Sequence, residues 1–289
     1  MREIVFLSGK GGAGKTVVSA SVIAKLGKAA AVDCDVDASN LHLLIAPRKQ
    51  IEKHIFQGPL VAIINKDKCV KCGKCIDVCR FLAISKEFVV DSSSCEGCGL
   101  CQYVCPQDAI TMEREDSGEW GVYETKYGIL VYGDVGPSGE NSGKMVSVLK
   151  ERTRSLASNS NFDFIICDGP PGTGCPVISS LNSVSDVVLV IEATMSGFED
   201  GEKVAQLCRK MDLSPKIVIN KWDLNEEVSM RIDNWARKEG LALLGKIGFN
   251  EEVVRAVIEG APPIEISPRF NREIDGIVEC LLRSDKDNM

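Results

Sequence analysis

The sequence predicts an α/β protein: a mostly parallel sheet wound on both faces by helices, with a smaller cysteine-rich α+β module inserted into it. Three observations carry that expectation. Short apolar runs without polar alternation recur along the chain, separated by stretches of helical periodicity. A glycine-rich turn joins the first run to the first helix, and the pattern is interrupted once, by eight cysteines between residues 69 and 105. Residues 3–8 form the first strand, and a helix from about 16 to 26 stops at Gly27. Residues 29–32 form the next strand and close on the acidic cluster Asp33-Cys34-Asp35-Val36-Asp37. Beyond the cysteines, 123–135 is expected to be two short strands broken at Gly128, followed by a helix over about 142–154 and a buried strand over 164–167. Strands over 187–191, 216–219 and 241–247 complete the series. Between the first two of these, Ser196-x-x-Glu199 is expected to cap a helix that places Val204, Leu207, Cys208 and Met211 on one face. The boundaries expected are 1–60 and 116–289 for the two parts of the sheet domain and 61–115 for the insert.

Composition narrows the function classes. Of 289 residues, 44% are hydrophobic and 26% charged, an ordinary soluble balance. The net charge of −7 argues against nucleic acid as the main partner. No apolar stretch approaches the ~20 residues of a membrane-spanning helix. The N-terminus enters a strand at once, which leaves no room for a signal peptide. The tail from Arg283 to Met289 is polar and mixed in charge, a poor lipid anchor. Thirteen cysteines, clustered at C-x2-C spacing in a chain of this size, imply a reducing cytoplasm and not a secreted disulfide scaffold.

Gly9-Lys10-Gly11-Gly12-Ala13-Gly14-Lys15-Thr16 fits G-x-x-x-x-G-K-[ST] directly after a strand and before a helix, the context a phosphate-binding loop requires. The backbone N–H groups from Gly11 to Thr16 would close around phosphates, Lys15 would neutralise charge, and the Thr16 hydroxyl would ligate Mg²⁺. Asp33 and Asp35 end the second strand, and Asp168 ends a later one before Gly169-Pro170-Pro171-Gly172-Thr173-Gly174. Carboxylates at strand C-termini face the crevice where phosphates lie. Asp168 is expected in the Mg²⁺ shell, and Asp35 is expected to orient an attacking water. Asn220-Lys221-Trp222-Asp223 follows a strand where such folds read the base, and it also matches the N-K-x-D guanine pattern.

Lys10 distinguishes this loop. Lys-Gly-Gly-x-Gly-Lys-Thr resembles the deviant P-loop of the MinD/Mrp/ParA ATPases, relatives of the nitrogenase iron protein. The resemblance covers 1–45 and about 117–280, with the motifs at 10–16, 33–40 and 168–174 in the family's order. It implies the P-loop fold, slow ATP hydrolysis, and a dimer with a second copy or a related ATPase, in which Lys10 reaches the partner's nucleotide. It further implies that Asp35 positions the water, that Asp33 lies close to the metal, and that Asn220 contacts adenine. The loop favours ATP, while Asp223 keeps GTP open.

The cysteines run Cys69-x2-Cys72-x2-Cys75-x3-Cys79 and Cys95-x2-Cys98-x2-Cys101-x3-Cys105-Pro106. This is the spacing of bacterial two-cluster ferredoxins, in which each run supplies three ligands to one [4Fe–4S] cluster and the fourth to the other. It assigns Cys69, Cys72, Cys75 and Cys105 to one cluster and Cys95, Cys98, Cys101 and Cys79 to the second. A pair of four-cysteine zinc sites is the alternative, which triple-cysteine runs fit poorly. The two runs belong to a 26-residue repeat, in which Ala83-Ile84 matches Ala109-Ile110. Arg80 stands where a proline follows Cys105 in the second run. Lys66, Lys68, Lys71 and Lys74 crowd the first run, as a solvated face or as a site for an acidic redox partner. Cys34, Cys167 and Cys208 are expected as buried small hydrophobes, and Cys175 as a loop-packing residue.

Together these readings describe an ATP-binding and hydrolysing protein that couples a nucleotide switch to electron transfer through two [4Fe–4S] clusters. The alternative is an ATP-dependent carrier of iron–sulfur or other metal clusters. The partners implied are a redox protein or a cluster-accepting client.

Overall fold

The computed structural model describes residues 1–136 and 141–283; most of the polar tail, 284–289, lies outside the described residues. In chain order the strands are β1 (Arg2–Ser8), β2 (Ala29–Asp33), β3 (Lys49–Ile64), β4 (Ile110–Thr125), β5 (Gly128–Val135), β6 (Phe164–Pro171), β7 (Asp186–Glu192), β8 (Lys216–Asn220) and β9 (Leu243–Ile247). The helices are α1 (Lys15–Leu26), α2 (Leu41–Ile45), α3 (Lys74–Val78), α4 (Leu100–Tyr103), α5 (Ser142–Asn159), α6 (Cys175–Leu181), α7 (Met195–Lys210), α8 (Glu226–Lys238), α9 (Glu251–Ile258), α10 (Pro263–Ile266) and α11 (Pro268–Arg283). No helix among the described residues is long and apolar enough to cross a membrane. The chain divides into two compact units: Met1–His54 with Trp120–Asp134 and Ser142–Met289, and Ile55–Glu119 with Val135–Asn141.

Among the described residues the strands follow the order β3-β4-β5-β2-β6-β1-β7-β8-β9. All neighbours from β5 to β9 run parallel. Central parallel strands are covered on both faces, which explains the unbroken apolar runs: Ile4 to Leu7 and Val188 to Val190 are fully buried. Because β1 lies between β6 and β7, successive crossovers leave it in opposite directions, and a crevice opens at its C-terminal end. Strand register then brings functional residues level with one another. Asp33 pairs with Asp168, and Glu192 pairs with Asn220.

A buried charge network holds α5 against the start of β1. Glu3 accepts from Arg154 Nε at 2.6 Å, and Lys150 Nζ lies 3.1 Å from its other oxygen. Lys150 also donates to the carbonyls of Ser180 and Asn182. The lysine is 2% exposed, and a carboxylate and two carbonyls meet the hydrogen-bonding needs of its buried ammonium.

The second unit has its own small core of Ala62, Ile84 and Ile110 with the Cys75 and Cys101 side chains. Its two halves repeat in backbone as well as in sequence. Positive φ angles recur at Lys71 and Gly97, at Gly73 and Gly99, and at Leu82 and Asp108, each pair 26 residues apart. Turn hydrogen bonds recur at the same interval, from Cys79 to Ile76 and from Cys105 to Gln102.

Several expectations need correction. The long strands β3 and β4, each of 16 residues, were not expected, and each has residues in both compact units. Most residues of each strand are exposed or half-buried, so their pattern lacks the apolar run of a central strand. The break expected at Gly128 falls at Lys126-Tyr127, where the Thr125 hydroxyl accepts from Tyr127 N–H. Helix α7 is capped by Thr194, whose Oγ1 accepts from Gly197 N–H at 3.1 Å, and not by Ser196. Replacing Lys150 with methionine is expected to lower unfolding free energy by about 3 kcal/mol, measured by denaturant titration, because Glu3 then loses a buried partner.

Candidate functional site

The glycine-rich loop follows β1 and turns into α1 through Gly14, which has φ of 90°. That angle favours glycine, and space demands it as well: a Cβ at Gly14 would sit 2.1 Å from Nδ2 of Asn220. Asn220 uses this proximity. Its amide donates to the carbonyl of Ala13 at 2.8 Å, and its oxygen accepts from Lys221 N–H. The end of β8 therefore braces the loop that opens α1. A cleft lined by Gly11, Gly12, Ala13, Gly14, Lys15, Thr16 and Asp35 lies above the loop.

Asp168, fully buried in β6 three residues before the strand ends, collects the donors of α1. It accepts from Lys15 Nζ at 2.9 Å, Thr16 Oγ1 at 2.7 Å and Ser19 Oγ at 2.8 Å. Asp33, also fully buried, accepts from the N–H groups of Asp35, Asn40 and Leu41 and from Ser39 Oγ, each at 3.0 Å. It thereby fixes the 35–41 segment and the start of α2. Asp35 lines the cleft with Asp37 and Asn40.

One ammonium faces three carboxylates here, and the ionisation of each group reflects that imbalance. Burial alone would lower the pKa of Lys15, but Asp168, Asp33 and Asp35 outweigh it and raise the value. Burial, reinforced by repulsion from Asp168, pushes Asp33 up to about 7. Burial also lifts Asp35 to about 6, with Lys15 opposing. A cluster of oxygens with excess negative charge beside a threonine hydroxyl is the donor set a hard divalent cation takes.

Lys10 sits at the rim of the loop. Its ammonium lies 2.8 Å from Glu192, 3.1 Å from Ser196 Oγ and 3.2 Å from Thr194 Oγ1. Glu192 holds Lys221 at 2.8 Å through its other oxygen, and Lys221 also donates to the carbonyl of Gly12. Burial opposes ionisation of Glu192, but the two lysines outweigh it and lower its pKa. Next to Asn220 and Lys221, an apolar cavity is lined by Val17, Phe249, Val253, Val257 and Phe270. Asp223 is not part of that lining. Its carboxylate accepts from Phe249 N–H at 2.6 Å and from Arg269 at 3.2 Å, so it tethers the loop after β9.

The cysteines separate into two sets in the second unit. Cys69, Cys72, Cys75 and Cys105 border one cavity, and Cys79, Cys95, Cys98 and Cys101 border another. Each set draws three residues from one run and one from the other. The thiols surround a space and do not meet at a point. Among the described residues, no three or more His, Cys, Asp or Glu side chains converge as ligands of a metal ion. Cys34, Cys167 and Cys208 are fully buried, and Cys175 is exposed at the start of α6.

The model of the CobQ/CobB/MinD/ParA nucleotide-binding domain matches residues 4–264. The chain belongs to this family. It is a P-loop ATPase of the MinD/ParA type. An uncharacterized protein of Methanocaldococcus jannaschii is 34% identical over 227 residues, covering 77% of this chain and 79% of that one. The chloroplastic MinD homolog of Arabidopsis thaliana is 25% identical over 275 residues, covering 92% and 70%. Among solved structures, the Pyrococcus horikoshii septum site-determining protein MinD complexed with Mg-ADP gives a TM-score of 0.59 at 19% identity, covering 96% of this chain and 94% of that one. Apo McdA of Cyanothece gives 0.61 at 15%, covering 97% and 99%. At these identities the solved structures speak for the fold alone.

Sequence reasoning missed Ser19, Ser39 and Glu192. Ser19 follows Lys15 by four residues and Thr16 by three, so helical spacing places it on their face. Glu192 ends a parallel strand, the same signal that identified Asp33 and Asp168. Ser39 carried no signal, because its contact depends on the path of the 35–41 segment.

Two outcomes are expected. Gly14→Ala weakens ATP binding at least about tenfold, read by fluorescent-nucleotide titration, while far-ultraviolet circular dichroism is retained. Asp33 holds its proton more tightly in the folded chain than at its ordinary value of 3.8. Its contribution to stability therefore falls as pH rises from about 4 to about 7. In nucleotide- and metal-free protein, Asp33→Asn is expected to remove that part of the decline in the thermal midpoint; an unchanged slope refutes the assignment.

Proposed function

We propose that this chain is a nucleotide-driven redox switch, an ATP-hydrolysing domain coupled to electron transfer through two [4Fe–4S] clusters in its second unit. The observation that carries the reading is the sorting of eight cysteines into two mixed sets of four, each around its own cavity. Cys69, Cys72, Cys75 and Cys105 would hold one cluster, and Cys79, Cys95, Cys98 and Cys101 the other. Bound there, clusters of this type store and release single electrons. The N–H of Ala109, 3.3 Å from Cys105 Sγ, would hydrogen-bond a ligating thiolate. The reading places the protein in a reducing cytoplasm, and its acidity disfavours nucleic acid as a partner.

On the nucleotide side, Lys15 would neutralise the phosphates, while Thr16 and Asp168 would hold Mg²⁺. Asp35, on the wall of the same cleft, would orient the water that converts ATP to ADP and phosphate. Guanine would need the Asp223 carboxylate, and both its oxygens already serve Phe249 and Arg269. That commitment favours adenine, with Asn220 and Lys221 beside the base. Lys10 would reach a second copy, or a related ATPase, only after leaving Glu192.

A second reading, ATP-dependent delivery of a cluster to a client, draws on the exposure of Cys72 and Cys98, one thiol in each set. The two separate in one experiment. Electron transfer predicts clusters that stay bound while their redox state changes the ATPase rate; delivery predicts loss of iron to an apo-acceptor only with ATP. Protein purified anaerobically is expected to absorb near about 400 nm and to bleach on reduction. Lys15→Ala is expected to abolish ATP binding and leave that absorbance in place. A colourless, redox-silent protein would end the cluster reading.

A further inference from the structure

We propose that the face around Cys69–Cys75 is the docking surface for a small acidic one-electron carrier protein. The proposal rests on the cluster reading above and deepens it by naming the partner's chemistry. It comes from comparing the two halves of the repeat, which share backbone conformation and differ in charge.

Residues 66–80 contain Lys66, Lys68, Lys71, Lys74 and Arg80 against Asp67 and Asp77, five basic and two acidic. The equivalent stretch 26 residues later, 92–106, contains Glu96 as its one charged residue. The four lysines correspond to Ser92, Ser94, Gly97 and Leu100. Since both halves make the same turns, the fold itself requires none of these lysines. At position 71 the choice even carries a cost. Lys71 has φ of 56° and Gly97 has φ of 64°, the left-handed region where a side chain costs about 1 kcal/mol. At Gly97 glycine is dictated by the carbonyl of Leu60, 2.3 Å from a built Cβ. Position 71 nevertheless holds a lysine in a conformation lysine disfavours. Strain of this kind concentrates where function selects the residue.

All four lysines and Arg80 are exposed, and none makes an ion pair with a described residue. Lys71 and Lys74 border the cavity of Cys69, Cys72, Cys75 and Cys105; Glu96 is the charged residue bordering the other. Val70, 60% exposed, stands among the lysines beside the exposed Cys72. An exposed apolar residue flanked in sequence by exposed lysines suits a protein-binding patch. The whole chain carries −7, so this basic face opposes the field of the rest. A local positive field on an acidic protein steers an acidic surface to one place and repels polyanions elsewhere. Small, transient contacts of this type characterise electron-transfer encounters.

The lysines could instead serve only to neutralise thiolates in the cavity. Lys66 and Lys68 separate the two roles, because neither borders the cavity. The test uses cluster-loaded protein under anaerobic conditions, with an acidic plant-type [2Fe–2S] ferredoxin as probe and cytochrome c as the basic control. The wild type is expected to bind the ferredoxin with an affinity that falls as salt rises. Lys66→Glu with Lys68→Glu is expected to weaken that binding at least about tenfold at low salt, with absorbance and reduction potential unchanged. Lys210→Glu with Lys238→Glu, on the first unit, is expected to bind like the wild type. Docking is overturned if the ferredoxin does not bind the loaded wild type, if the 66/68 variant matches it, or if cytochrome c or a duplex oligonucleotide binds more tightly. An effect confined to Lys71→Glu with Lys74→Glu, together with a shifted potential, also overturns it. A preparation that takes up no iron overturns the cluster reading itself, a result distinguishable from loss of docking alone.

Discussion

The carboxylate of Asp168 is the contact on which the nucleotide site depends. It lies in β6, three residues before the strand ends, with no exposure, and Lys15, Thr16 and Ser19 all donate to it. Those three residues share the first turns of α1, so the carboxylate fixes the helix that receives the phosphate loop. It also raises the cost of ionising Asp33, two strands from β1, and so links the 35–41 segment to the same charge balance. The crevice is consequently organised around excess negative charge with a single lysine against it. Such a site holds its geometry without nucleotide and gains most from a cation.

How much of this was legible depended on whether local sequence or long-range register set the feature. The order of strands and helices in the first unit, the phosphate loop and the carboxylates at strand ends all follow from short-range patterns. Apolar runs, glycine at fixed offsets and terminal acids each carry their signal within a few residues. The long strands β3 and β4 were not legible, since exposed and buried positions mix along them. The α7 cap was misplaced because Ser196 offered a capping box two residues beyond Thr194, and only the structure shows Ser196 turned to Lys10. Asp223 illustrates the same limit. Its motif suggests base recognition, while its partners come from Phe249 and Arg269, each more than twenty residues away.

The second unit shows how a duplicated backbone can be separated from its side-chain content. The same left-handed positions and turn hydrogen bonds recur at an interval of 26 residues, so the common architecture is carried by main-chain geometry. What differs is charge, which affects folding little on an exposed turn and affects encounter with other molecules strongly. Comparing halves thus removes the part of the sequence that the fold explains. The residue left over is informative because its twin lacks it.

Asn220 ties the phosphate loop to the cavity beside it. Its amide rests on Ala13 in the loop that meets phosphates, while its strand ends at the cavity beside that loop. The absent Cβ of Gly14 leaves no slack between them. The distance from one cavity to the other is therefore built in, as in a gauge with fixed jaws. On the proposed reading, a ligand that spans both would be measured for length as well as for the chemistry at each end, and fragments that fill one jaw would forgo the contacts of the other.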